Sequence, residues 1–380
     1  MKILHIVPAL ETGGVETGTV DLAVSLKKLG HTVFVISNGG KLVRYLEDNC
    51  VLHIQLPVHK KSPFALLLAP QVASVIREHR IDIVHASSRI PAWIGFLACR
   101  LSGTSFVTSC HGFYSRHLFS HVMGWGDLVM VISKSVEKRM TEDFGVSKDK
   151  IRLVYRGVDL TKYPYYPDKY DNERGSFAII NVGRLTPLKG QYEFIRAMKR
   201  VIDSTNSADK KGNSKHVEAW IAGGVQKGKE YYLKKLKGLA KELGIAEQVK
   251  FLGVRNDIND LLNKAYCLVL STNVPEGFGR VAIEAGAAGT AVCASDIGGI
   301  KEVIENGVSG LLFPPKDEAG MAGAIIRMLT DLDFCRECAG NLRKRVERFF
   351  TLEEMAEKTL AVYEEAVRKS VSRLSGQHVG

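Results

Sequence analysis

The chain has 380 residues, 45% of them hydrophobic and 24% charged, which is enough apolar material for two domains of ordinary size and excludes a disordered chain. Its net charge of +11 is uneven: residues 1–170 carry 21 Lys/Arg against 14 Asp/Glu, a net of +7, and the remainder carries 31 against 27, a net of +4. Such a field attracts phosphates, anionic lipid or nucleic acid without choosing among them, and a merely solvated basic surface accounts for it at least as well.

Seven cysteines, odd in number and scattered, read as free thiols of a reducing compartment rather than a disulfide framework. No uninterrupted apolar run reaches the roughly 18 residues of a membrane span. The expectation is a cytoplasmic protein that does not cross a bilayer. In chain order, "KILHIV" is a compact apolar strand; Glu11 and the lack of a small-residue cleavage site set the opening apart from a secretory leader. "PALETGG" is a loop, and "VETGTVDLAVSLKKLG" places Val20, Ala23, Val24 and Leu26 at helical spacing before Gly30 and the strand "TVFVIS". Together they make a βαβ unit. Further strand-like runs, "LHIQLP", "IDIVHAS", "SFVTSCH", "DLVMVIS" and "IRLVYRG", make residues 1–157 an open parallel sheet covered on both faces.

A Tyr/Pro/Asp-rich stretch, "KYPYYPDKYDNERGS", reads as a linker. The alternation then restarts with "FAIINVG", "EAWIAG", "VKFLG", "CLVLS", "TAVCAS" and "GLLFP", while the polar "NSADKKGNSK" reads as a surface loop. From Glu318 to Leu374 nearly everything reads as helix, including the long amphipathic "LEEMAEKTLAVYEEAVRKSVSRL". The fold class is therefore α/β: two Rossmann-like halves, residues 1–170 and 171–350, followed by a terminal helix over 351–380, with the ligand expected in a cleft between the halves.

Ligands of open parallel sheets bind beyond the carboxyl ends of strands, where helix N-termini offer free N–H groups to anions. Thr12-Gly13-Gly14 has that placement, although a Gly-Gly before a helix is as often a plain tight turn. Asn181 to Gly190, "NVGRLTPLKG", sets Arg184 and Lys189 on a loop between Gly183 and Gly190, a suitable grip for the two phosphates of a nucleotide diphosphate. In "PEGFGRVAIEA", Glu276 lies on a loop and Glu284 about one turn into a short helix; a fully helical span of that length would be about 12 Å. One acid can hold a ribose and the other a hexose through their vicinal hydroxyls, with the amides of Gly277, Phe278 and Gly279 meeting the phosphates between them. Chance spacing of two glutamates on a solvated face is the plain alternative. A paired-carboxylate glycosidase needs its acids flanking one bond at roughly 5 to 9.5 Å, which this placement does not require. The segment also lacks the third glycine of a dinucleotide fingerprint.

Here the sequence resembles the retaining glycosyltransferases of family 4, of GT-B fold, whose signature is two glutamates separated by seven residues. The resemblance runs over nearly the whole chain through "GGVE", "HGFYS", "RGVD", "VGRLTPLKG", "FLG", "EGFGRVAIEA", "GGIKE" and "GLLFPP", and "SSRIPAW" with "HGFYS" resembles bacterial enzymes that build lipopolysaccharide and other surface glycans. It implies two domains with parallel sheets facing a central cleft, an acceptor-binding first domain, a nucleotide-sugar-binding second domain, and a terminal helix that crosses back to the first. It implies that Glu284 holds the donor ribose, Glu276 the hydroxyls of the transferred sugar, and Arg184 with Lys189 the diphosphate. Gly13 and Gly14 face the phosphates, Arg255 lies in the loop framing the base, His111 lies near the reacting sugar, and Gly183 and Val281 fall among the donor contacts. Transfer then proceeds with no cofactor and no metal, from a nucleotide-diphosphate sugar to a glycan or lipid-linked acceptor, with peripheral contact to anionic membrane and no nucleic acid partner. Two positions depart from the family pattern: Arg156 stands where Asn is commoner, and Gly286 where a larger apolar residue is usual.

Other signals are set aside. Asp331-Leu332-Asp333 has a metal-type spacing but sits between late helices, where Asp333 reads as a helix cap. Cys335 and Cys338 lack a partner pair. His117 and His121, beside His111, read as histidines of an acceptor loop rather than a zinc site. "HGFYSRHLFSHVMGW" is open between membrane contact, acceptor loop and core packing. Competing functions are a sugar-nucleotide epimerase, a nicotinamide-linked dehydrogenase and a catalytically silent nucleotide-sugar binder.

Overall fold

The apolar runs of the first 157 residues become seven parallel strands: β1 Lys2–Ile6, β2 Thr32–Ser37, β3 Leu52–Gln55, β4 Ile83–Ala86, β5 Ser105–Cys110, β6 Leu128–Val131 and β7 Ile151–Leu153. They lie in the order β3-β2-β1-β4-β5-β6-β7. Every residue of β4, β5 and β6 is buried, so these strands show apolar and small residues, His85 excepted, rather than alternation, as expected of a sheet covered on both faces. The computed structural model describes residues 1–11, 13–170, 176–208 and 216–376. It divides into two units, one of Met1–Gly157 with the chain from Leu352 onward, the other of Val158–Thr351.

The second unit repeats the plan with β8 Ser176–Val182, β9 His216–Ala222, β10 Val249–Gly253, β11 Cys267–Leu270, β12 Ala291–Ser295 and β13 Leu311–Phe313, all parallel, in the order β10-β9-β8-β11-β12-β13. In both sheets the strand order reverses beside the first strand, between β1 and β4 and between β8 and β11. In open α/β sheets such a reversal marks the carboxyl-end position where ligands bind.

The last helix, Leu352–Gly376, belongs to the first unit. It packs on the first helix, Gly14–Lys28, and on β5, and puts Met355, Ala356, Val362, Tyr363 and Ala366 into the same core as β1 and β2. Glu365 pins it further by accepting from Arg152 Nε on β7 at 2.8 Å.

Several expectations change. The stretch read as a linker is partly built into the second core: the Tyr170 hydroxyl donates to the Tyr266 carbonyl at 3.0 Å and accepts from the Ala291 N–H at 2.8 Å. Beside it, the buried Lys169 ammonium donates to the Leu262 carbonyl at 2.8 Å and the Thr290 hydroxyl at 2.6 Å. The polar segment is no simple loop, because Asn206 to Ala208 complete the helix Gln191–Ala208; residues 209–215 lie outside the described residues. The cap between the late helices is Asp331, which accepts from the Phe334 N–H at 3.1 Å because the helix begins at Leu332. Asp333 instead lies in the first turn, paired with Arg336. Gly286 is explained by packing: a Cβ there would stand 2.7 Å from Leu342 and Val346, so its absence lets the helix Leu332–Phe349 close on Arg280–Ala287. Among the described residues no helix is long and apolar enough to cross a membrane. All seven cysteines are free thiols, six of them buried.

Candidate functional site

The reversal between β8 and β11 makes neighbours of two loops, one carrying Lys189 and the other Glu276. They are stitched together: the Asn273 N–H and the Thr272 hydroxyl donate to the Leu188 carbonyl at 2.9 and 3.1 Å, and the Ser271 hydroxyl donates to the Lys189 carbonyl at 2.9 Å. Gly190 permits the approach. Its φ is +66°, and a Cβ would fall 1.8 Å from the Ser271 carbonyl oxygen. The result is a direct ion pair between the Lys189 ammonium and the Glu276 carboxylate. The Lys189 stem passes over Gly183.

Beyond Glu276 the chain turns into the helix Arg280–Ala287 at Gly279, whose φ of +91° suits a residue without Cβ. The turn is backed by Gly298 and Gly299 of "GGIKE". A Cβ on Gly298 would lie 2.5 Å from the Glu276 carbonyl oxygen, and the Gly299 N–H donates to that oxygen at 2.9 Å. Phe278 buries its ring edge-on against Phe350, centroids 5.5 Å apart, so toward a ligand it offers only its backbone. Val281 is half-buried at the helix start. Glu284, buried one turn on, pairs with Arg280 at 2.9 Å rather than with Lys189. A carboxylate, an ammonium and the amides of a helix start thus converge.

The other two cations singled out in the second unit, Arg184 and Arg255, lie on exposed surface. Arg184 is exposed on the loop after β8, with its carbonyl accepting from Gln191 Nε2 at 3.0 Å. Arg255, after β10, is held by Asp257, with Nε donating at 2.7 Å on an exposed surface.

In the first unit Gly13 is the N-cap of the first helix and Gly14 its exposed first residue; Thr12 lies outside the described residues. The Glu16 carboxylate folds back so closely that a Cβ on Gly13 would lie 2.2 Å from its Oε2. His111 follows β5, and both of its ring nitrogens are buried with no hydrogen-bond partner among the described residues. Its place at the end of a strand thus brings it no hydrogen bond. Burial, and then the charge of Arg156, hold its pKa well below the usual histidine value, so the imidazole is neutral. It lines a small cavity with Thr19, His85, Ser87, Ser109 and Arg156, whose remaining wall is largely apolar, with Leu22, Met130 and Ile132 among its residues. His85 is hydrogen-bonded through Nδ1 to the Tyr363 hydroxyl at 2.6 Å and through Nε2 to Ser109 Oγ at 2.5 Å.

His117 precedes the short helix Leu118–His121 without capping it through its side chain, and His121 meets Phe144 edge-on. The aromatic segment divides between roles: Val122 and Met123 are core, Trp125 packs on Trp93 and Phe96, and Leu118 and Phe119 are exposed. Sequence reasoning did not assign Arg156, His85 or Ser109. The signals on offer were the unusual residue at 156 and a glycine inside a helix at 18.

A family model described as glycosyl transferases group 1 matches residues 166–345, and one described as glycosyltransferase family 4 matches residues 12–162. An uncharacterised glycosyltransferase of Methanocaldococcus jannaschii is 26% identical, covering 95% of this chain and 96% of its own. A crystal structure of a glycosyltransferase from Rickettsia africae superposes with a TM-score of 0.84 at 29% identity, over 96% of this chain and 98% of its own. Anabaena HepE, solved in complex with UDP and glucose, has the same fold, with a TM-score of 0.81 at 23% identity over 96% and 99%. The chain belongs to the family 4 glycosyltransferases: it is a transferase of glycosyl groups with the two parallel α/β sheets of the GT-B fold.

Proposed function

We propose that this enzyme moves a sugar from a nucleotide-diphosphate donor to a hydroxyl of a cell-envelope glycan or lipid acceptor, with retained configuration. The observation that carries the reading is the Lys189–Glu276 ion pair at the reversal point of the second sheet, beside the amides of Gly277 to Gly279. A diphosphate brings Lys189 a stronger anionic partner than one carboxylate. Glu276 is then released to accept hydrogen bonds from the hydroxyls of the transferred sugar, and Glu284 takes those of the ribose. Arg184, exposed and on the same loop as Lys189, swings onto the phosphates, while the Gly13–Gly14 turn offers amides of the same kind. Arg255 frames the base. The departing diphosphate, steadied by these cations and amides, takes the acceptor's proton on the face it leaves. Electrostatic stabilisation of the leaving group supplies most of the rate. His111, neutral, acts toward the reacting sugar as a hydrogen-bonding group rather than a cation.

A nucleotide donor is also supported by the UDP and glucose in the Anabaena structure. The basic first half favours a phosphorylated or lipid-linked acceptor, and exposed Leu118 and Phe119 beside Arg116 favour peripheral contact with anionic membrane. Lys189→Ala is expected to cut nucleoside diphosphate release by roughly 10²–10³-fold with an unchanged melting profile. Wild-type turnover in that variant would refute the assignment. Screening nucleotide sugars for thermal stabilisation selects the donor for the assay.

A further inference from the structure

A glycine inside a helix is disfavoured relative to alanine, so Gly18, buried within the helix Gly14–Lys28, calls for a reason. Its φ is not positive, so the backbone does not supply one. The reason is a side chain from far along the sequence. A Cβ on Gly18 would lie 2.2 Å from Arg156 Nη1 and 2.4 Å from its Cζ and Nη2; the guanidinium rests on the face where a methyl group would be. From that seat Nη2 donates to the carbonyl oxygen of Gly14. The segment carrying Arg156 is itself fixed on both sides: the Val154 N–H donates to the Val131 carbonyl at 2.9 Å, and the Gly157 N–H to Met355 Sδ at 3.3 Å.

We propose that Arg156 is a positioning residue for the Gly13–Gly14 turn, and that Gly18 is the seat that makes its position available. Two adjacent glycines have the widest backbone freedom of any dipeptide, and amides that are to meet an anion gain from being held in one orientation beforehand. Arg156 supplies that restraint through a rigid, planar donor that a lysine cannot copy. Arg156 also forms part of the wall of the His111 cavity, so the turn and the candidate catalytic imidazole share one support. The functional part of the proposal rests on the reading that the turn's amides meet ligand phosphate.

The test compares Arg156→Ala, Gly18→Ala and the double variant in the full chain, by amide hydrogen exchange over residues 13–18 and by kcat and KM for nucleoside diphosphate release. Because Gly18→Ala displaces the guanidinium without removing it, both single variants are expected to speed exchange at least tenfold and lower kcat at least tenfold. The double variant should be no worse than either single one. Arg156→Gln and Gly18→Ser carry the same comparison if an alanine variant does not fold. Unchanged exchange in the Arg156 variant, wild-type behaviour of the Gly18 variant, or losses that add in the double variant would each overturn the proposal. If the wild-type chain released no nucleoside diphosphate from any donor, the transfer reading would fail, and the exchange comparison would still decide the role of Arg156.

Discussion

Three imidazoles, His5, His85 and His111, are buried in the first unit. Neither ring nitrogen of His5 has a partner among the described residues, and burial pulls its pKa down to about 4. His85 and His111 lie well below 6.5, through burial first and then neighbouring positive charge. The unfolded chain titrates near 6.5, so between that pH and about 4 it takes up protons that the folded unit refuses. These groups therefore stabilise the fold above pH 6.5, and that stability is lost as the pH falls. The stability of the first unit is therefore expected to fall progressively as the pH drops through that window. Unfolding midpoints across pH 4 to 7 should fall steeply for the wild type and less so for His5→Phe; equal slopes would rule out His5 as a contributor. Glu365, held down to about 2 by its hydrogen bonds from Arg152 and then Lys369, extends the loss below the usual carboxylate range. At this scale the sequence was only partly legible. Lys189 and Glu276 stood out for their chemistry, but their pairing spans 87 residues of chain and is created by strand order. The same applies to Gly18 and Arg156. The cap at Asp331 was missed by two positions because both aspartates are good caps and only the helix start chooses between them.

Elements were far more legible than contacts. Strands buried on both faces read as largely apolar runs, and the glycine-bracketed loops after β8 and β11 stood out because close approach of backbone to backbone needs residues without Cβ. Two segments differ from expectation for one reason: polar composition does not by itself mean looseness. In the supposed linker, Lys169 and Tyr170 are buried and satisfied by carbonyls and hydroxyls, which composition cannot reveal. In the supposed loop, Asn206 and Ser207 are the outer turn of a helix whose other face is apolar. The segment around Leu118–His121 carries its own test. Leu118 is 85% exposed and Phe119 is exposed next to it, on a short helix that buries little else. If this element touches membrane, Leu118→Ser with Phe119→Ser should lower co-flotation with vesicles of anionic lipid at least fivefold and leave donor hydrolysis unchanged. Equal flotation of variant and parent would leave the segment to acceptor binding.

On the scale of the molecule, the first unit is assembled from both ends of the chain. Leu352, Met355, Val362 and Tyr363 are among the side chains that complete its core. At about 1.5–3 kcal/mol for each buried side chain, these four amount to roughly 6–12 kcal/mol, comparable with the whole stability of a domain, about 5–15 kcal/mol. A chain ending at Thr351 should therefore lose the calorimetric transition of the first unit while keeping that of the second, whose core lies within Val158–Thr351. Two intact transitions in that truncation would show the last helix to be dispensable. The same arrangement has a consequence during biosynthesis. A ribosome adding about 5–20 residues per second finishes the middle of the polypeptide before it releases the piece its beginning is waiting for. The nascent N-terminal sheet must then stand with part of its apolar surface uncovered for a time on the order of tens of seconds, a period in which chaperone capture competes with aggregation. Premature stop codons anywhere upstream of the final helix should be as damaging as those near the start.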